Sequence, residues 1–586
     1  MKFLDKNLSL LIVLVVAVLM LLPFLGLTDF NTKGEPREAV VAVSMLKDGN
    51  WILPVNNGMD IPYKPPFFHY CIAVLSLLTG GVNEYTSRLP SALSLIAMTI
   101  GCFCFYRKRL STNVAVASAL LLLTSFEVHR AGASCRVDMM LTVFIVGALL
   151  LLYRWWERGS HGVPVLAVLC MSCATLTKGP VGFVLPCFVM GVFMLLRGEH
   201  FWKTFFKFVG FGLLSCILPL MWYVAAWIDG GQQFLDLVYE ENIGRMTGTM
   251  SYESHEHSFP YNFFTLSTGW LPWTLLLIFS LFAKPWKALK WRKTGEKLRI
   301  RIMHIPPVKL FTWLSFLLVL FFYCIPSSKR SVYLLPCYPF MAVLIAQYIE
   351  WLWTSNHHRV LRVYVCVIAA IAIILTAVYG VVHLGLVPDS IFHGKHANEN
   401  IAILHALRDT KLDFTSFVLM LMPLITAVDC LFLTYRKAMR DKKRVMAYCL
   451  FMPLVVLMMA LDGIYLPTIL NTKSLRPMAN YIQRTFPNEP VYQYVEGSVM
   501  HFFGADFYLG DTIDQFEKPV RTRVGDKTVV EKKTPSKGVL VVSEQQFKAL
   551  ADRHPDYNFA HVATLKGRVS ELKDNISFYR FSVKTK

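Results

Sequence analysis

Thirteen apolar stretches recur between Leu8 and Tyr465, separated by polar segments, and nothing of comparable length follows them. A membrane-crossing helix needs about 20 predominantly apolar residues, so this repetition predicts a chain that crosses a bilayer many times. The stretches fall at 8–28, 89–106, 112–127, 138–153, 162–177, 180–196, 205–228, 263–283, 310–325, 333–353, 363–385, 413–434 and 445–465. Lys2 and Lys6 precede the first run in the manner of a secretion signal. The run is long and no small-residue cleavage site follows it, which predicts an uncleaved first helix. In the tail, short β-branched runs such as Val539-Leu540-Val541-Val542 alternate with helix-like segments such as Glu544 to Ala551. This pattern predicts a transmembrane domain over 1–466 followed by a soluble mixed α/β domain over 467–586.

The segment between the first two spans, 29–88, is about 60 residues, longer than a simple connection requires. Two largely apolar runs within it, Arg37 to Leu46 and Phe67 to Leu78, are too short to cross a bilayer and suit helices lying in the interface plane. No internal repeat is visible, which argues against a secondary transporter built from repeated halves.

Composition agrees with this picture: 55% of the residues are hydrophobic and 17% charged, which excludes an ordinary string of soluble domains. The net charge of +20 comes from short basic segments between apolar runs. Arg107-Lys108-Arg109, Arg154 with Arg158, and Arg436 to Arg444 fall on one side of the predicted membrane. The segment from Asp229 to Asn262 falls on the other, with Asp229, Asp236, Glu240, Glu241, Glu253 and Glu256 against Arg245 alone. Lysine and arginine are retained on the cytoplasmic side, so the N-terminus is expected in the cytoplasm and the tail domain outside it, periplasmic for a bacterial inner membrane. Basic residues distributed this way set topology and do not suggest a nucleic-acid partner. The 13 cysteines are scattered through apolar runs, none after Cys449, with no metal-type spacing.

Four polar clusters fall on the predicted outer side: Lys33-Gly34-Glu35-Pro36-Arg37-Glu38, Tyr63-Lys64-Pro65-Pro66, Arg130 to Asp138, and Glu241 to Arg245 with His255-Glu256-His257. Any one alone is most simply a solvated rim or an ion pair anchoring a loop. Four on one face, with Thr177-Lys178-Gly179-Pro180 and Ser327-Ser328-Lys329-Arg330-Ser331, argue for a site. Carboxylates beside lysine and arginine at a membrane surface suit a sugar phosphate carried on a lipid: the cations neutralise the departing phosphate and an acid acts as base or metal support. His255 and His257, two residues apart, would need an extended loop to share a metal ion.

The stretch Gly34-Glu35-Pro36-Arg37-Glu38-Ala39, continuing through Gly49-Asn50-Trp51-Ile52-x-Pro54 to Tyr63-Lys64-Pro65-Pro66, resembles the first outer loop of the aminoarabinose transferase and protein O-mannosyltransferase superfamily, the GT-C membrane glycosyltransferases. Ser87-Arg88-Leu89-Pro90, Arg136-x-Asp138-Met139, Lys178-Gly179-Pro180, Asn242-x-x-Arg245 and Ser328-Lys329 followed by Tyr333-Leu334-Leu335-Pro336 extend the match over most of the membrane region. The resemblance implies transfer of a sugar from a polyprenyl-phosphate donor, with inversion at the anomeric carbon. It implies Glu35 and Asp138 as base or metal support, and Arg37, Lys64, Arg136, Lys178, Arg245, Lys329 and Tyr333 as the donor-phosphate site. A divalent metal ion, if used, would draw on Glu35, Asp138, His255 and His257. The family pattern usually has Asp before this Glu, where this chain has Gly34, and an acid is common where it has Tyr63.

These readings predict an inner-membrane glycosyltransferase moving a sugar such as 4-amino-4-deoxy-L-arabinose to a lipid A-like, glycan or protein acceptor. An ionised lipid phosphate needs no deprotonation, whereas a Ser or Thr hydroxyl needs a base, so a cationic site favours the former. Transfer to Ser/Thr, and a lipid or solute transporter with a charged outer cavity, are the competing expectations.

Overall fold

The computed structural model describes residues 6–62, 64–244, 247, 256–283, 303–394, 396–436, 442–495, 502–524, 527–565 and 575–584. Each of the thirteen apolar stretches coincides with helix. Among the described residues nine helices are long and apolar enough to cross a membrane, or eleven if two bent pairs each count as one span. The bent pairs are Thr112–Leu123 with Phe126–Gly132, turned by 69°, and Tyr261–Gly269 with Trp273–Ala283, turned by 103°. The expected thirteen is reduced because the stretches at 162–177 and 180–196 form helices of 14 and 16 residues, short of a bilayer's thickness. They are cut by Gly179, whose φ of 87° and ψ of −160° break the helix at Lys178.

In chain order the elements that position the site are α1 (Lys6–Leu21), α2 (Gly34–Asp48), α3 (Phe67–Thr79), α4 (Glu84–Tyr106), α5 (Thr112–Leu123), α6 (Phe126–Gly132), α7 (Val137–Glu157), α8 (Val165–Lys178) and α9 (Val181–Leu196). The two short apolar runs of the first long connection are α2 and α3. Each ends on a left-handed glycine, Gly49 and Gly80, whose N–H satisfies the carbonyl of Met45 or Ser76. A capping box starts α4: the Asn83 side chain accepts from the Thr86 N–H while the Thr86 hydroxyl accepts from the Asn83 N–H, both at 2.9 Å. The buried core between the spans is largely aliphatic and aromatic, and within it the Trp273 indole donates to the Thr124 hydroxyl at 2.9 Å.

The ends of the bundle are distinguishable. Parallel α4 and α7 place Arg88, Arg136 and Asp138 at one end, while Arg109 just beyond α4 pairs with Glu157 at the last turn of α7 at the other. The C-terminal unit sits at the first of these ends. Its five-stranded sheet has the order β2-β1-β5-β7-β6, from β1 (Val491–Tyr494), β2 (Asp514–Gln515), β5 (Lys537–Ser543), β6 (Tyr557–Leu565) and β7 (Ile576–Val583). β1 is parallel to β2 and β5, β7 is antiparallel to β5 and β6, and β3 (Lys518–Val524) with β4 (Lys527–Lys533) forms a separate hairpin. The Val539–Val542 run is the central strand, with all four side chains fully buried, because both faces of the sheet are covered. Arg476 ties this unit to the membrane part through Asp29 and Glu84, and the Tyr508 hydroxyl donates to Glu84 at 2.9 Å.

Within the unit, Asp506 is fully buried; one carboxyl oxygen accepts the Ile513 N–H at 2.8 Å, and the Asp511 carboxylate lies beside it. Burial, and then the neighbouring Asp511 carboxylate, push the Asp506 pKa well above the usual carboxylate range. An acid whose pKa is higher folded than unfolded binds its proton more tightly in the native state, so stability falls as pH rises from about 4 towards the raised value. Asp506→Asn is therefore expected to melt at a higher temperature than the wild type at pH 8 and at nearly the same temperature at pH 4. An equal gain at both pH values in detergent melting curves would contradict this.

Candidate active site at the head of α2, α3, α7 and α8

The sequence Gly34-Glu35-Pro36 opens α2. Proline is tolerated in a first turn because its missing N–H has no intrahelical partner there, and an acid in that turn faces the positive end of the helix dipole. Glu35 is nonetheless held by partners distant in sequence. Arg88 of α4 donates Nε and Nη2 to its two carboxylate oxygens at 2.8 and 3.2 Å, and the Cys135 N–H donates to Oε1 at 2.9 Å. Burial alone would raise the Glu35 pKa; Arg88, the Cys135 N–H and Arg136 outweigh it and leave the group below its ordinary value. Arg88 also donates to the carbonyls of Leu25 and Thr28, so the pair locks α2 to the end of α1 and the start of α4.

Glu38, one turn later, has a different set of partners. Lys64 bonds one oxygen, His69 Nε2 lies 3.0 Å from the other, and Arg37 reaches the first at 3.3 Å. Lys64 sits just ahead of Pro65-Pro66, which restrict the backbone where α3 begins, and His69 is the third residue of α3. Burial would raise the Glu38 pKa, and Lys64 with the other two partners takes it well below the usual value. Glu38 stands in the first polar cluster without a role read from sequence, and His69 is not marked there; the available signal was spacing, since Glu38 lies four residues, one helical turn, beyond Gly34.

A third pair joins antiparallel helices. Asp138 stands in the first turn of α7 and Lys178 ends α8, so acid and base each sit at the dipole end that favours them, and Lys178 bonds Asp138 directly. The Lys178 ammonium also lies 4.3 Å from the centre of the Tyr333 ring. Gly179 brings α8 close to the fourth cluster, where a Cβ would stand 3.2 Å from the Asn242 side-chain oxygen. Lys64 and Arg136 both act electrostatically on Asp138, and Arg136 acts on Glu35, so Glu35, Lys64 and Asp138 belong to one neighbourhood. Arg136 packs against Gly34, its Nη2 2.9 Å from where a Cβ would be, and its buried Nε has no hydrogen-bond partner among the described residues. The space of a side chain at position 34 is thus used by a guanidinium.

Other expected site residues are placed differently. Lys329 is buried with its ammonium on the carbonyls of His257 and Pro326 at 2.9 and 2.6 Å, fastening the 256–258 segment to 326–329. His257 stacks on Tyr261 with ring centres 3.8 Å apart. Tyr63, Arg245 and His255 lie outside the described residues. Among the described residues no group of three or more His, Cys, Asp or Glu side chains could hold a metal ion. The donors named for one do not suit it as arranged: Glu35's oxygens are taken by Arg88 and the Cys135 N–H, and Asp138 is paired with Lys178. Three carboxylates, each with its cation, and a further guanidinium beside two of them, Glu35 and Asp138, make a site suited to an anionic head group.

A family model described as dolichyl-phosphate-mannose-protein mannosyltransferase matches residues 63–223, the stretch bearing Lys64, Arg88, Arg136, Asp138 and Lys178. An uncharacterised protein of Aquifex aeolicus (strain VF5) is 30% identical over 328 residues, covering 56% of this chain and 68% of that protein. An undecaprenyl phosphate-alpha-4-amino-4-deoxy-L-arabinose arabinosyl transferase of Enterobacter sp. (strain 638) is 27% identical over 366 residues, 58% of this chain and 59% of that one. The chain spans about three-fifths of the length of the curated relatives it matches first. In fold it is similar to ArnT from Cupriavidus metallidurans bound to undecaprenyl phosphate, with a TM-score of 0.69 at 19% identity over 98% of each chain. The matched family model and the likeness to relatives over more than half of the chain, with a shared fold from end to end, lead to one conclusion: the chain belongs to the GT-C family of membrane glycosyltransferases.

Proposed function

We propose that the protein transfers a sugar, 4-amino-4-deoxy-L-arabinose or a close analogue, from a polyprenyl-phosphate donor to a lipid A-like or other cell-envelope acceptor at the outer face of the inner membrane. The observation that carries this reading is the gathering of Lys64, Arg136 and Lys178 around Asp138 at one end of the bundle. In the proposed reaction the bond between the anomeric carbon and the donor phosphate breaks, and its electron pair leaves on the phosphate, where these cations stabilise it. An acceptor oxygen bonds the same carbon from the opposite side, so its configuration inverts. Asp138 and Glu38 hold the lysines in place, and Glu35 with Arg88 fixes the helix that presents Glu38.

Glu35 and Glu38 are both held below their ordinary pKa by cations. A general base works best with a pKa near the working pH, so such carboxylates remove a hydroxyl proton poorly. This favours an acceptor that is already ionised, a lipid phosphate, over a serine or threonine hydroxyl. The proposed orientation puts the N-terminus in the cytoplasm and the C-terminal unit, with the site, outside. Mass spectrometry of envelope lipids and glycoproteins from cells with and without the protein tests the reading. A sugar mass added to a phosphorylated glycolipid is the expected result; the mass on protein would favour Ser/Thr transfer, and no difference in either fraction would refute glycosyl transfer.

A further inference from the structure

The helix that presents Glu35 and Glu38 packs against Phe507 of the C-terminal unit, and its other end is hydrogen-bonded to one residue of that unit. The Ser44 hydroxyl of α2 donates to Asp511 Oδ2 at 2.9 Å, and Lys47 bonds the Asp511 carbonyl oxygen. The other carboxylate oxygen, Oδ1, accepts the Asn57 N–H at 2.8 Å. Asn57 is fully buried and held from the same unit again: Gln493 donates to its side-chain oxygen at 3.2 Å and Gln515 to its carbonyl at 3.1 Å. Asn57 and Asp511 both occupy left-handed backbone, φ 49° and 59°. Asn and Asp are the non-glycine residues that adopt it most readily, so both side chains are presented without strain. Next to Asn57, Gly58 is pressed so closely against Asp514 that a Cβ would stand 1.8 Å from its carboxylate oxygen.

Ser44 lies six residues beyond Glu38 on the same rigid helix, and Asn57 lies seven residues ahead of Lys64. One carboxylate of the C-terminal unit therefore bonds both segments that supply the Glu38–Lys64 pair: α2, and the 56–60 turn that leads to Lys64. We propose that Asp511 is a positioning residue of the transfer site, setting the placement of Lys64 relative to the α2 carboxylates, so that the C-terminal unit is part of the frame of the site. This rests on the function proposed above.

The test uses the full-length protein in lipid nanodiscs, titrated with undecaprenyl phosphate and followed by tryptophan fluorescence below the melting temperature of every variant. Asp511→Gly keeps the backbone conformation but removes the side-chain bonds to Ser44 and Asn57 and the ion pair with Lys47, and is expected to weaken binding about tenfold, because only part of the energy of these contacts is felt at the site. Asp511→Asn, which tolerates the left-handed conformation and keeps an oxygen for the Asn57 N–H, should come back to within about threefold of wild type. Ser44→Ala breaks the α2 contact alone and should cost about threefold, with no further loss when combined with Asp511→Gly. Should Asp511→Gly not fold, Ser44→Ala and Asp511→Asn carry the test by themselves. Wild-type affinity in Asp511→Gly, or in Ser44→Ala, would overturn the positioning role. Failure of the wild type itself to bind undecaprenyl phosphate would refute the proposed function instead.

Discussion

Arg88→Ala is expected to be the most damaging single substitution in the membrane part, costing about 3–5 kcal/mol, the usual effect of stranding one member of a buried ion pair. Arg88 is 4% exposed. Its guanidinium serves both oxygens of Glu35 and the carbonyls of Leu25 and Thr28, and lies 5.0 Å from the Phe30 ring centre. Alanine would leave a buried carboxylate and two unpaired carbonyls where α1, α2 and α4 meet. Heating in detergent followed by fluorescence-detected size exclusion should show a large fall in melting temperature. Arg88→Lys keeps the charge but not the planar fork and should recover only part of the loss. The double variant Arg88→Met/Glu35→Leu removes both charges together and should be milder than Arg88→Ala. If Arg88→Ala melted within a degree or two of wild type, Glu35 would not depend on this pair.

The second large effect is expected on the reaction. Lys64→Ala and Lys178→Ala each remove a cation from the neighbourhood of Asp138. Losing one preorganised group that stabilises charge developing in a transition state costs about 10²–10³ in rate. Release of undecaprenyl phosphate from a radiolabelled lipid-linked sugar in nanodiscs should fall by that factor, while melting temperature changes little for Lys64, whose partner Glu38 keeps His69 and Arg37. Lys178→Ala leaves Asp138 without its direct partner and should also lower stability. Wild-type release by either variant would remove the cation site from the mechanism. Both results bear on the same arrangement: Glu35 with Arg88 holds the helix, and the lysines handle the phosphate.

The division between those two jobs was not visible in the sequence. Glu35, Arg37 and Glu38 stand within four residues, and nothing in their order says which acid meets which cation. Arg88 is 53 residues from Glu35, Cys135 is 100, and Lys64 is 26 from Glu38. Lys329 shows the same limit in reverse. Beside Ser327 and Ser328 it reads as a phosphate ligand, but the fold brings the 256–258 segment against it and its ammonium is used on carbonyls.

Hydrophobic patterning alone determined where the helices lie, because each segment long enough to leave water must be apolar along its length, and that is a local property. It marked the two short helices of the 29–88 connection and the central Val539–Val542 strand. The family motifs marked which polar residues to watch. Tertiary structure alone decided the pairing of acids with bases, the use of the Gly34 space by Arg136, and the grip of Asp511 on α2 and Asn57. The reason is physical: a buried charge is settled by whichever partners the fold brings within hydrogen-bonding distance, and here those partners come from helices far apart in the chain.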